Sequence, residues 1–461
     1  MLALLICLFA LIVCYAAGRR SIAYGLIAVL FFGYMYGILR ANLRVTASHF
    51  TFDAAVIGFY LSQKWFSAEY NTRENSVLRY WLVVLICWPL LICLLPFQTI
   101  LVSLVGLRGN AFLLPALLIG SRLTSRDLTK FAYGLCVLNL IALGFAGAEY
   151  FMGIERFYPE NEVTQVIYAS QDVAGAKYFR IPSTFVASAA YAGTMVVTLP
   201  FLYGAWSLSS RSRWKSFFLL AGILSALLGV LMGASRSHFI VVTAMVVTAA
   251  LMTRLSKAKQ VVCVLVIAAV IVSAFTNKRF QRFESLKDKS MVADRIAGSV
   301  NRTFWEILSE YPMGNGLGGG GTSVPYFLQS QVRTPILMEN EYARILLEQG
   351  IIGLVMWIGF IGWLLTRRNA FAKNSWHNGR RIGWTCCACY FGTGMIGIGM
   401  LTAIPQSMIF LLVGGWIAVP QREESDPAIR TAPARALRPV LFPERGVKRP
   451  GLRPSGLLGR N

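Results

Sequence analysis

Apolar residues run along most of this chain in stretches of about 20, the length a helix needs to cross the hydrocarbon core of a bilayer. Such stretches fall near 1–18, 21–39, 48–66, 77–97, 99–119, 130–151, 186–206, 216–234, 238–254, 260–276, 350–366, 382–400 and 402–419. They predict an all-α polytopic membrane protein with about 12–13 transmembrane helices. The stretch at 48–66 departs furthest from the pattern because it contains His49 and Asp53. The first stretch resembles a secretory signal, with Ala16-Ala17-Gly18 as a cleavage site. Its charges, Arg19 and Arg20, follow the apolar core instead of preceding it. It is read as a retained helix whose N-terminus lies outside.

Composition excludes a soluble protein. Of 461 residues, 56% are hydrophobic and 14% charged, against roughly 45–50% and 25% in soluble domains. The excess of Lys+Arg (44) over Asp+Glu (21) gives a net charge of +23. In a soluble chain that excess would suggest nucleic acid; here it fits short inner loops that obey the positive-inside rule. No run of interleaved basic and aromatic residues argues for a nucleic-acid partner. The nine cysteines, Cys7, Cys14, Cys87, Cys93, Cys136, Cys263, Cys386, Cys387 and Cys389, all lie in apolar stretches, which fits small helix residues better than disulfides or zinc ligands. No metal and no cofactor is expected.

Three segments differ from the short loops. Residues 420–461 are rich in Pro and Arg and poor in aromatics, and read as a disordered cytoplasmic tail that could contact anionic membrane lipid. The other two, about 153–188 and 277–350, fall on the extracytoplasmic side of the predicted topology. The longer one contains helix-like stretches and many aromatics. A connection of that size is usually functional or disordered, so the working surface is expected to face outward, with residues 1–419 as one transmembrane domain.

These segments hold the candidate chemistry. Arg236 in Ser235-Arg236-Ser237-His238 lies between two apolar stretches, where an arginine either snorkels to the interface or holds an anionic partner. His238 is the histidine nearest it. Arg302, Trp305 and Glu306 lie on a helix that Pro312 ends, followed by Gly314-Asn315-Gly316-Leu317-Gly318-Gly319. That run fits G-x-G-x-x-G but follows no strand, so the dinucleotide reading fails; an anion-binding nest of backbone amides or a tight connection remains. Glu341, Arg344 and Glu348 share a helix face and can pair. Glu339 and Asn340 precede that helix, where Glu339 is either a cap or a general base on a sugar hydroxyl. Arg180, in "AGAKYFRIPSTF" with Lys177, offers a further cation. Arg108 falls inside an apolar stretch, where Gly109 and Asn110 mark a broken or re-entrant helix.

Taken in order, "GASRSHF", "RTFWEILSEYPMGNGLG" and "ENEYARILLEQGIIGL" resemble the O-antigen ligase and Wzy-type polysaccharide polymerase superfamily. The resemblance covers about residues 100–420 and is sharpest over 298–360. It implies a GT-C-like fold and metal-independent glycosyl transfer from undecaprenyl-diphosphate at the outer face of a bacterial cytoplasmic membrane. It places Arg236 and Arg302 on the carrier diphosphate, where a guanidinium fork suits paired phosphate oxygens. Family ligases carry His-Asn at the third motif, with His as the base. Glu339-Asn340 stands there in this chain, which points to an exopolysaccharide polymerase with Glu339 as base and Asn340, Arg344 and Arg180 as further contacts. A glycan ligase with another acceptor and a transporter of an anionic amphiphile are the alternatives. A chain-length regulator or another assembly protein is a possible partner.

Overall fold

The computed structural model describes residues 2–420, apart from 44, 66–72, 170, 174, 175, 210, 211, 322, 323, 337, 339, 368–374 and nearly all of 253–302. The span expected at 260–276, the tail from 421 onward, and both Arg302 and Glu339 therefore lie outside the described residues. The helices are α1 (Leu2–Arg20), α2 (Ile22–Asn42), α3 (Thr51–Leu61), α4 (Arg73–Cys93), α5 (Ile100–Ala111), α6 (Ala116–Ser121), α7 (Ser125–Met152) and the single turn α8 (Gln165–Tyr168). They continue with α9 (Ser188–Leu208), α10 (Arg213–Met232), α11 (Arg236–Met252), α12 (Thr303–Glu310), α13 (Glu341–Thr366), α14 (His377–Thr393) and α15 (Gln406–Ala418). One antiparallel hairpin, β1 (Gln171–Val173) with β2 (Ala176–Phe179), interrupts an otherwise all-α chain.

Among the described residues, seven helices are long and apolar enough to cross a membrane: α1, α2, α4, α5 with α6, α7, α10 and α13. The protein is an all-α polytopic membrane protein. α1 exposes Leu4, Leu5, Leu8, Phe9 and Ile12, a face suited to lipid tails. α9 is the opposite case, surrounded by protein on nearly every side, with Thr194 and Thr198 fully buried. Its small and weakly polar residues allow close helix packing, and each threonine hydroxyl returns a hydrogen bond to its own helix, Thr194 to Ala190 O and Thr198 to Met195 O, both at 2.7 Å.

Three expected spans take different forms. The 48–66 stretch is a 3-10 turn (Thr46–Phe50) followed by the 11-residue α3, well short of spanning length. The 99–119 stretch breaks after Ala111 and resumes at Ala116, just past Asn110. The 382–400 stretch begins earlier and ends at Thr393, because Arg380 is drawn into the bundle. Its Nη2 donates to the carbonyls of Trp416, at 2.5 Å, and Val419, satisfying the C-terminal end of α15.

α13 is kinked at Gly350, where φ is 69° and ψ −176°. The groups around the kink bond to other elements: Trp88 Nε1 donates to Gln349 O at 2.9 Å, Ile351 N to Pro312 O at 3.0 Å and Asn315 N to Leu347 O at 2.6 Å. This backbone region is essentially restricted to glycine. A Cβ here would also lie 2.7 Å from Met313 C. Gly350→Ala is therefore expected to destabilise the protein by about 1–3 kcal/mol from backbone strain alone, read as a lowered unfolding midpoint in detergent. An unchanged midpoint would contradict this account of the kink.

Candidate functional site

One end of the helix bundle gathers described residues singled out by sequence, among them Arg236, His238 and Asn340. α2, α7 and α10 finish there, and α3, α9, α11, α13 and α15 begin. The α10–α11 connection is tight: Gly233 ends α10, Ala234 takes φ 45° and Arg236 opens α11. A positive φ at a non-glycine residue costs on the order of 1 kcal/mol and persists only where the surroundings enforce it. Ser235 is buried beside this turn, and its Oγ lies 2.7 Å from His238 Nδ1. The His238 ring packs 5.7 Å from that of Tyr390, whose hydroxyl donates to Gly193 O at 3.1 Å. Gln406 closes on the same point, since a Cβ on Gly193 would meet Gln406 Oε1 at 1.8 Å and His238 Nε2 at 2.7 Å. Gly193 thus lets α9, α11, α14 and α15 converge near the start of α11, which the half-buried Arg236 opens.

The start of α13 rests on a buried polar network. Asn340 is its N-cap, with Oδ1 accepting from Tyr342 N at 2.9 Å and Ala343 N at 3.2 Å. Asn340 thus fills the capping position, and Glu339 stands one residue before it. Arg344 donates from Nη2 and Nε to Glu341 Oε1, at 2.7 and 3.0 Å, and from Nη1 to Glu348 Oε2 at 2.8 Å and Asn110 Oδ1 at 3.1 Å. Asn110 Nδ2 returns to Glu348 Oε2 at 2.6 Å, Gln349 Nε2 to Asn110 Oδ1 at 2.9 Å, and Gly399 N to Glu341 Oε2 at 2.8 Å. The side chains of Arg344, Glu341 and Glu348 are fully buried. The pairing expected of Glu341, Arg344 and Glu348 is present. All three guanidinium nitrogens of Arg344, a residue the sequence singles out as a substrate contact, donate to Glu341, Glu348 and Asn110 beside the Asn340 cap.

The glycine run resolves as a tight connection. The amides of Gly314, Asn315, Gly319 and Gly321 donate to Tyr311, Leu347, Gly316 and Gly318 carbonyls, so these four are spent within the connection. Arg180 precedes a loop fixed from below: Ser183 takes φ 52°, its N donates to Glu149 Oε2 at 2.8 Å, and Tyr158 Oη donates to Phe185 O at 2.9 Å. The loop is tied to α2 by Ile38 N donating to Thr184 O at 3.1 Å. Arg180 Nε is buried and has no hydrogen-bond partner among the described residues.

Arg108 pairs with Asp53 at 2.8 Å. Sequence reasoning noted Asp53 and His49 as misfits in an apolar stretch but did not join them to Arg108, and it missed Arg40. The usable signal was the presence of ionisable groups in apolar stretches. Among the described residues, no three His, Cys, Asp or Glu side chains stand close enough to hold a metal ion.

A family model described as O-antigen ligase matches residues 221–358. The chain is similar to the O-antigen ligase family over this segment. No curated protein matches it. The ligase-family segment begins within α10, contains Arg236, His238, Arg302, Glu339, Asn340 and Arg344, and ends in α13. Arg108, Asp53 and Arg180 fall outside it, on elements that pack around the same end of the bundle.

Proposed function

We propose that this protein is a glycosyltransferase that polymerises undecaprenyl-diphosphate-linked oligosaccharide repeats into a cell-surface or exopolysaccharide, working at the outer face of a bacterial cytoplasmic membrane. The observation that supports this most is the position of Arg236. It opens α11 at a strained turn, next to the buried Ser235 whose hydroxyl meets His238, inside the ligase-family segment. A guanidinium held there suits a diphosphate.

In this reading an acceptor hydroxyl attacks the anomeric carbon of the donor. The bond from that carbon to the phosphate oxygen breaks, the new glycosidic bond forms, and the lipid diphosphate departs with the bonding electrons. Arg236 and Arg302 offset its growing charge, worth most in a site closed to water. Glu339 takes the hydroxyl proton as general base. Asn340 sets the chain direction at that point by capping α13, and the Arg344 network holds the cap in place. Arg180, with its unpartnered Nε, is suited to a further anionic group.

The test is incubation of the purified protein with one undecaprenyl-diphosphate repeat unit from the native pathway, beside Arg302→Ala and Glu339→Gln. A product ladder lost in both variants is expected. Absence of a ladder, with transfer to a different glycan acceptor, would assign a ligase; no transfer to any acceptor would remove the enzyme reading in favour of a transporter.

A further inference from the structure

A second basic cluster stands outside the ligase-family segment. Arg40, near the end of α2, and Arg108, on α5, flank His49 in the turn before α3. Burial first, and then these two guanidiniums, push the His49 imidazole down to about 4, so it is neutral at pH 7. Tyr36 joins the three: its hydroxyl donates to His49 O at 3.0 Å, its ring lies 6.0 Å from the Arg40 guanidinium, and Arg108 sits beside its hydroxyl. Tyr326 and Phe327 close one side, with ring centroids 6.0 and 5.5 Å from that of His49.

Among the described residues, charge here is unbalanced. Asp53 pairs with Arg108, while Arg40 Nε is buried with no hydrogen-bond partner among the described residues. A buried donor of this kind calls for an acceptor. The cluster is also reachable: Arg108 keeps 29% of its side chain exposed and Tyr326 is 39% exposed. Aromatic walls with a few fixed polar groups are the usual lining of a small-ligand site.

We infer that Arg40, His49 and Arg108, with Tyr36, Tyr326 and Phe327, form a saccharide subsite for a sugar that carries a carboxylate. Arg40 and Arg108 meet the carboxylate, and the exposed Tyr326 ring lies against the sugar. The inference rests on the glycan-transfer reading and adds the class of sugar to it. Arg40, His49, Asp53 and Arg108 all precede residue 221, so this charge belongs to the part of the chain that the family match does not cover.

The deciding measurement is equilibrium binding of tetragalacturonate and of neutral tetragalactose to the full-length protein in phosphatidylcholine nanodiscs. Wild type should bind the uronate about tenfold more tightly, the scale of one charge-assisted contact. Arg40→Gln should bring the two affinities within about twofold, and Arg156→Gln, at an exposed cation outside the cluster, should leave the preference intact. Because Arg108→Gln strands Asp53, Arg40→Gln carries the test. Equal affinities, or no binding to folded wild type, would overturn the inference. Loss of the preference when phosphatidylglycerol replaces part of the lipid would reassign the cluster to a lipid headgroup. A uronate preference without a product ladder would sink the transferase reading alone, whereas a ladder without the preference would sink only this subsite.

Discussion

Under the proposed mechanism, Arg236→Ala is expected to cut the product ladder severely while the protein still inserts and folds. Removing one preorganised group that stabilises developing charge costs roughly 10²–10³ in rate, and Arg236 is the described cation at the turn where the proposed diphosphate sits. Arg236→Lys should recover only part of that rate, because a lysine offers a point charge without the planar fork that grips two oxygens. The measurement is the initial rate of repeat-unit consumption in proteoliposomes, with Arg40→Gln as a control expected to keep transfer from a neutral repeat. A rate for Arg236→Ala within about threefold of wild type would remove this residue from the mechanism, given the 10²–10³ at stake.

Arg344→Met is expected to cause the largest loss of stability. The substitution leaves Glu341 and Glu348 facing each other's surroundings in a fully buried site, along with Asn110. Breaking a buried ion pair by removing one partner costs about 3–5 kcal/mol, mostly because the remaining charge has nowhere to go. Thermal unfolding in detergent, followed by tryptophan fluorescence, should show a large drop. Adding Glu348→Gln should restore part of it by removing one stranded charge. A single variant as stable as wild type would mean that the carboxylates take up protons or water at little cost, and that the network does not hold α13.

The helices were readable from sequence because a bilayer requires long apolar stretches and internal hydrogen bonding. The departures have physical causes written in single residues. His49 and Asp53 are buried, so the chain around them bends into a 3-10 turn and a short helix that bring them to Arg40, Tyr36 and Arg108. Arg380 stands just before the apolar stretch expected at 382–400, yet its guanidinium serves the carbonyls at the end of α15, a role set by a contact across nearly forty residues. The three-four spacing of Glu341, Arg344 and Glu348 was legible as a local pattern. Asn110 and Gly399, which complete their hydrogen bonds, were not, because periodicity carries no information about partners so distant along the chain. In the same way the partners of the Gly314 and Asn315 amides, Tyr311 O and Leu347 O, could not be read from the glycine run itself.

The Asn110–Arg344–Glu348 knot also makes α5 and α13 a single stiff piece. Arg108 lies two residues from Asn110, and Asn340 lies four residues from Arg344, so the separation between them is a built-in length of the molecule. That length acts as a gauge. Under the two proposals above, a glycan whose acidic unit is seated at Arg108 offers a hydroxyl beside Asn340 only when its own sugar-to-sugar spacing agrees, so acceptor choice becomes a measurement of length.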